Sequence, residues 1–333
     1  MGVNACDQTR RQGEAMFSIN TASAEARAHV SDGIELAYQE FGTRCAVPLL
    51  LVMGLGGSMV AWDDEFCAAL AARGFRVIRF DNRDCGCSTR LDDRGVPDMA
   101  GMFGQLAAGM PVQAPYFLSD MANDAVGLLD ALQIDRAHVV GVSMGGMIAQ
   151  EMAIRHPRRV STLTSIMSST GRPGLPSARP EAMAALMTPT PTGWPDYLAR
   201  HRQVWSVLCG YKYPFDPVRG EDMARRLFAR GPHPAGTARQ LAAVLASGNR
   251  KPALADVRIP TLVMHGSDDG LVPMACGIDT AEAIPDARLR ILEGMGHNLP
   301  CELWPAIVDA IAEQAGPPDA PTADTTKPQA LQD

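Results

Sequence analysis

Short apolar runs alternate with stretches of helical period along most of this chain. Residues 34–41 alternate apolar and polar positions like a half-buried strand. Residues 48–53 form a continuous apolar run that ends at Gly54, residues 61–73 have helical spacing, and residues 76–80 read as the next strand. The alternation then repeats. A helix is predicted over 118–132 with Ser119 as N-cap, a strand over 138–142, a helix over 144–156 stopped by Pro157, and a strand over 160–167. A strand over 261–264, a helix over 275–283, a strand over 288–292 and a helix over 305–314 complete the series. Short, doubly buried apolar strands separated by helices predict an α/β protein with a mostly parallel sheet and helices on both faces.

Two stretches break this rhythm. Residues 171–260 contain no convincing strand, several short helical patterns and many prolines. They read as a helical insertion over the C-terminal edge of the sheet. The expected organisation is therefore a core of residues 16–170 and 256–315 with a helical cap at 171–255. Residues 1–15 are expected to be a disordered leader, and the proline-rich polar stretch 316–333 a disordered tail. The second irregular stretch, 91–117, is rich in methionine. Met102 and Met110 from this stretch, with Trp194 and Trp205 from the insertion, are candidates to line a substrate pocket; plain core filling is the alternative.

The candidate chemistry centres on Gly141-Val142-Ser143-Met144-Gly145, between a predicted strand and a predicted helix. A serine hydroxyl is a poor nucleophile until a sharp strand-to-helix turn presents its Oγ beside a base. The following helix would aim its N-terminal N–H groups at the same spot. The pentapeptide alone also fits a glycine-rich turn of any α/β protein, so the rest of the chain has to support it. An acid and a histidine follow in the required order, each just past a predicted strand: Asp268-Asp269 after 261–264, and Gly296-His297 after 288–292. Ser143 as nucleophile, His297 as general base and Asp269 as the orienting acid are the expected catalytic residues, with Asp268 as a turn residue and His265 packing near the acid. His138 and His156 read as structural. The backbone N–H of Met144 and that of Leu55, in the loop Met53-Gly54-Leu55-Gly56-Gly57, are the expected oxyanion donors. That loop lacks the spacing and the Lys-Ser/Thr of a phosphate cradle.

These segments resemble the α/β-hydrolase superfamily over roughly residues 25–315. Within it, the chain is similar to the bacterial esterases that include aclacinomycin methylesterase. The resemblance rests on Leu50-Leu51-Val52-Met53-Gly54, on Phe80-Asp81-Asn82-Arg83-Asp84-Cys85-Gly86-Cys87-Ser88-Thr89, on His138 through Gly145, and on Gly294-Met295-Gly296-His297. It implies an α/β-hydrolase fold, hydrolysis of a carboxylic ester, and the triad and donors just named. Met53-Gly54 stands where many members have His-Gly, and Cys85 and Cys87 replace commoner residues. Neither departure touches a triad position.

Composition narrows the partners. The chain has 333 residues, 46% of them hydrophobic, and a formal charge of −7. A mildly acidic, mixed surface argues against nucleic acid or an anionic membrane as the main partner and suits a soluble enzyme; the small-molecule ester substrate is what the resemblance implies. Eight scattered cysteines, with one Cys-x-Cys pair too close for an unstrained disulfide, fit a cytoplasmic location. The N-terminus lacks an apolar signal core, and no run of 18 apolar residues is present. No metal-ligand spacing is seen, and the reaction calls for no cofactor. Lactone opening, carbon–carbon bond hydrolysis of a diketone and perhydrolysis use the same triad and remain open. A non-catalytic ligand-binding member of the fold is a further reading, to which a complete Ser/Asp/His set is superfluous.

Overall fold

The computed structural model describes residues 22–316; the leader expected at 1–15 and the tail expected beyond Gly316 lie outside the described residues. The strands are β1 (Ala26–Ser31), β2 (Ile34–Phe41), β3 (Val47–Val52), β4 (Phe75–Phe80), β5 (Ala137–Val142), β6 (Val160–Ile166), β7 (Thr261–Gly266) and β8 (Arg288–Leu292). They make one sheet in the order β1-β2-β4-β3-β5-β6-β7-β8. The two pairings of β2 are antiparallel, and every pairing from β4 to β8 is parallel.

The continuous apolar run of β3 has a simple cause. Its side chains alternate between two separate cores, because helices cover both faces. Leu50 and Val52 pack with α3 (Leu118–Ala131) and α4 (Met144–Arg155) on one face. Leu49 and Leu51 pack with α1 (Asp64–Ala72) and α11 (Trp304–Ala315) on the other. All four are fully buried, each contributing about 1.5–3 kcal/mol of transfer free energy. The remaining helices are α2 (Met99–Ala107) after β4, α5 (Pro180–Met187), α6 (Trp194–Leu208), α7 (Pro217–Ala229), α8 (Pro234–Ser247) and α9 (Lys251–Leu254) between β6 and β7, and α10 (Met274–Ala283) after β7.

Three expectations need correction. The edge strand β1 was not expected: only Ala28 of its six residues is buried, so no apolar run marks it. Strand β8 is not doubly buried. It is the opposite edge, and Arg288 and Arg290 stand exposed on it, a pattern that discourages pairing with another sheet. Ser119 is not the cap of α3. The helix begins at Leu118, as predicted, which puts Ser119 inside its first turn; Phe117 is the N-cap residue, and the Asp120 carboxylate accepts the Phe117 N–H at 2.7 Å.

Two buried histidines give the fold a pH dependence. His138 Nδ1 is 2.8 Å from Thr162 Oγ1, and His201 lies among the rings of Tyr197, Trp205 and Phe215. Burial lowers the pKa of each to about 4. In the unfolded chain each takes a proton near pH ~6.5. Below that pH the unfolded state binds more protons, so stability falls as pH drops from about 6.5 toward about 4. The expected outcome is a Tm that declines over this interval, with a shallower slope in the His138→Gln/His201→Gln double variant. Thermal melts across the interval check it; an identical slope in the double variant contradicts it.

Candidate active site

Ser143 occupies the turn between β5 and α4 with φ 54° and ψ −122°, a conformation that costs a non-glycine residue about 1–3 kcal/mol. Close packing holds the turn. A Cβ on Gly141 would fall 2.1 Å from Gly145 O, and one on Gly145 would fall 2.1 Å from Val52 O. The outer glycines of the pentapeptide are therefore required by approach distance. The Ser143 N–H donates to Ile166 O at 2.9 Å, while its carbonyl accepts from Gly146 N–H at 2.9 Å and Ser168 Oγ at 2.8 Å. Ser143 thus sits immediately past the C-terminal end of β5, as the N-cap residue of α4.

Ser143 Oγ lies 3.0 Å from His297 Nε2, and His297 Nδ1 lies 2.7 Å from Asp269 Oδ2. The carboxylate accepts the Nδ1 proton, which leaves Nε2 as the acceptor facing the serine hydroxyl. Asp269 is buried, and its other oxygen accepts the N–H groups of Leu271 at 2.9 Å and Val272 at 2.8 Å. His265 completes the acid's surroundings. Its Nε2 is 3.6 Å from Asp269 Oδ2 and 2.7 Å from Val272 O, and burial pushes its pKa below the ordinary value. It packs beside the acid, as expected. His138 and His156 bond to Thr162 and Asn123, away from Ser143.

The loop after β3 meets Ser143 at Gly54, where a Cβ would lie 3.2 Å from Ser143 Cβ. Among the described residues, the N–H groups of Leu55 and of Met144, the first residue of α4, meet no acceptor. Asp268 does more than turn the chain. Its carboxylate accepts from Arg179 at 3.1 Å and from the Tyr211 N–H at 2.9 Å, so it ties the segment between β6 and β7 to the acid's loop. The backbone N–H of His297 donates to Leu208 O, at the end of α6, at 2.7 Å.

The four residues expected to line a pocket lie in different surroundings. Met110 is 52% exposed at the surface. Met102, the buried residue of α2, borders a cavity of about 500 Å³ whose walls come from residues 94–115 and include no triad residue. Trp194 packs on Tyr197 and Phe228 beneath Arg225. Trp205 packs with His201 and against the α5–α6 cluster, on which Leu271 also packs. Aromatic surface in the insertion is spent on its own small core, which lacks a sheet to pack on. Sequence reasoning missed Asn82, which donates to Met53 O at 3.0 Å, and Gln240 of α8, which holds Gly56 N–H at 2.8 Å. The one available signal for Gln240 was a polar residue on the stripe Gly236, Gln240, Ala243, which is buried throughout.

A sequence profile of the α/β-hydrolase fold matches residues 47–302. The chain belongs to the α/β-hydrolase fold family. Rhodomycin D methylesterase DauP of Streptomyces sp. (strain C5) is 32% identical over 309 residues, 86% of this chain and 96% of that protein. The putative carbamate hydrolase RutD of Variovorax paradoxus (strain S110) is 29% identical over 79% of this chain and 89% of its own length. A solved hydrolase structure from Pseudomonas aeruginosa PA01 aligns with a TM-score of 0.65 at 27% identity, covering 89% of this chain and 100% of the other. Among the described residues, no helix is long and apolar enough to cross a membrane. No group of three or more His, Cys, Asp or Glu among them is arranged to hold a metal ion.

The short His297–Asp269 contact has a spectroscopic consequence. A strongly downfield imidazole N–H proton resonance is expected in the intact protein, lost in Asp269→Ala and kept in Asp268→Ala. Proton NMR checks this; retention of the resonance in Asp269→Ala assigns the contact to another partner.

Proposed function

We propose that this protein is a serine hydrolase that cleaves carboxylic esters of small molecules. The observation that carries the reading is the continuous hydrogen-bonded line from Ser143 Oγ through His297 to buried Asp269. The two rhodomycin D methylesterases, 32% and 31% identical over most of the chain, support the ester class. Ser143 Oγ attacks the ester carbonyl carbon while His297 Nε2 takes its proton. The oxyanion that forms faces the N–H groups of Leu55 and Met144. Collapse expels the alcohol, which receives the proton from His297. Water, deprotonated by His297, then releases the acid and restores Ser143. Asp269 keeps the imidazole in the correct tautomer and stabilises the imidazolium. Methyl esters of larger acids are the first class to try, because the methylesterase relatives match nearly end to end.

Turnover of p-nitrophenyl acetate, then of a panel of methyl esters and lactones, is the direct test. Ser143→Ala is expected to lose at least about 10⁴-fold in kcat. Asp269→Asn is expected to lose about 10⁴-fold and Asp268→Asn far less. Wild-type turnover by Ser143→Ala refutes the reading, and faster loss in Asp268→Asn than in Asp269→Asn reassigns the acid.

A further inference from the structure

Gln240 lies on α8, inside the segment between β6 and β7, and is 1% exposed. Its Oε1 accepts the Gly56 N–H at 2.8 Å, and its Nε2 donates to Arg83 O at 2.8 Å. A primary amide does both at once; a carboxylate accepts only, and a hydrocarbon does neither. Gly56 is the third residue of the turn 54–57, closed by the Gly57 N–H on Gly54 O at 3.2 Å. Its φ is +65°, and its Cα is so close to α8 that a Cβ would fall 2.9 Å from Thr237 Oγ1.

The consequence concerns Leu55 N–H. It belongs to the same planar peptide as Gly54 O and points the opposite way. That peptide is bracketed on both sides. Asn82 holds Met53 O in the preceding peptide at 3.0 Å, and Gln240 holds Gly56 N–H in the following one. Of the three consecutive N–H groups at Leu55, Gly56 and Gly57, two are engaged. Leu55 N–H meets no acceptor among the described residues. The helix carrying Gln240 is itself anchored: Arg239 makes paired bonds to buried Asp84 at 2.9 and 2.7 Å, and Ser247 Oγ accepts Leu118 N–H at 2.9 Å.

We infer that Gln240 is a positioning residue for the reaction: by fixing the central peptide of the 54–57 turn, it aims Leu55 N–H at the oxyanion. The inference rests on the serine-hydrolase reading above. It makes the segment between β6 and β7 a contributor to transition-state binding.

The test uses the full chain and p-nitrophenyl acetate. Gln240→Leu is expected to lower kcat roughly 10- to 100-fold, somewhat less than deleting an oxyanion donor outright, with KM changed by no more than about twofold. Affinity for phenylboronic acid, which forms a tetrahedral adduct on serine, is expected to fall by a similar factor. Gln240→Glu keeps the bond to Gly56 but loses the one to Arg83 O, and is expected to fall between the two. Ser247→Ala loosens the same helix without touching the turn. It is expected to lower Tm while leaving kcat and boronate affinity unchanged. If Gln240→Leu does not fold, Gln240→Met, which also lacks the acceptor for the Gly56 N–H, is measured in its place. Wild-type kcat in folded Gln240→Leu or Gln240→Met overturns the inference, as does an equal loss of kcat in Ser247→Ala. Undiminished turnover by Ser143→Ala would instead overturn the reading beneath it.

Discussion

The turn at Ser143 is the constraint on which the rest of the structure depends. A non-glycine residue is held at φ 54°, and its backbone is gripped from three directions. Ile166 of the neighbouring strand accepts its N–H, while Ser168 Oγ and the Gly146 N–H hold its carbonyl. Glycines on both sides let α4 and β3 come close enough for that grip. A looser turn would relax the strain and withdraw Oγ into the sheet. In the sheet β5 sits between β3 and β6, and both neighbours pack on the turn at Ser143.

A second demand is electrostatic. Asp269 is buried, and a buried carboxylate is costly unless each oxygen is satisfied. Three N–H groups do this, two from its own turn and one from His297. The turn is in turn held by His265, which bonds Val272 O. The Asp269 carboxylate is therefore held in one orientation by its surroundings.

The helices between β6 and β7 are bound into this frame. Leu208 accepts from the His297 backbone, Asp268 gathers Arg179 and Tyr211, and Gln240 holds Gly56. Each of the three loops that bear on Ser143 is thus tied to the insertion by a direct hydrogen bond. The bond to Gln240 is partly buried and those of Asp268 are exposed; a hydrogen bond of this kind has a net worth of about 0.5–1.5 kcal/mol, with a larger cost when a buried partner is left unmatched.

Local pattern determined a great deal. Strands such as β3 and β5 read clearly because burial on both faces demands an unbroken apolar run. Ser143, Asp269 and His297 were legible because their chemistry needs particular residue types at strand ends in a set order. The edge strand β1 was missed because it buries a single side chain, whereas β8, which also buries one, was read at its observed bounds. The tryptophans and methionines could not be assigned from sequence, because an apolar side chain carries no sign of which surface it will cover. Gln240 lies 184 residues from the glycine it holds, a separation across which no local pattern reaches. The sequence by itself determined the family, the parallel part of the sheet and the residue types that meet at Ser143, all of which follow from periodicity and from residue chemistry. Only the tertiary structure decided which distant backbone groups meet, because long-range hydrogen bonds depend on how separate elements pack and leave no periodic trace along the chain.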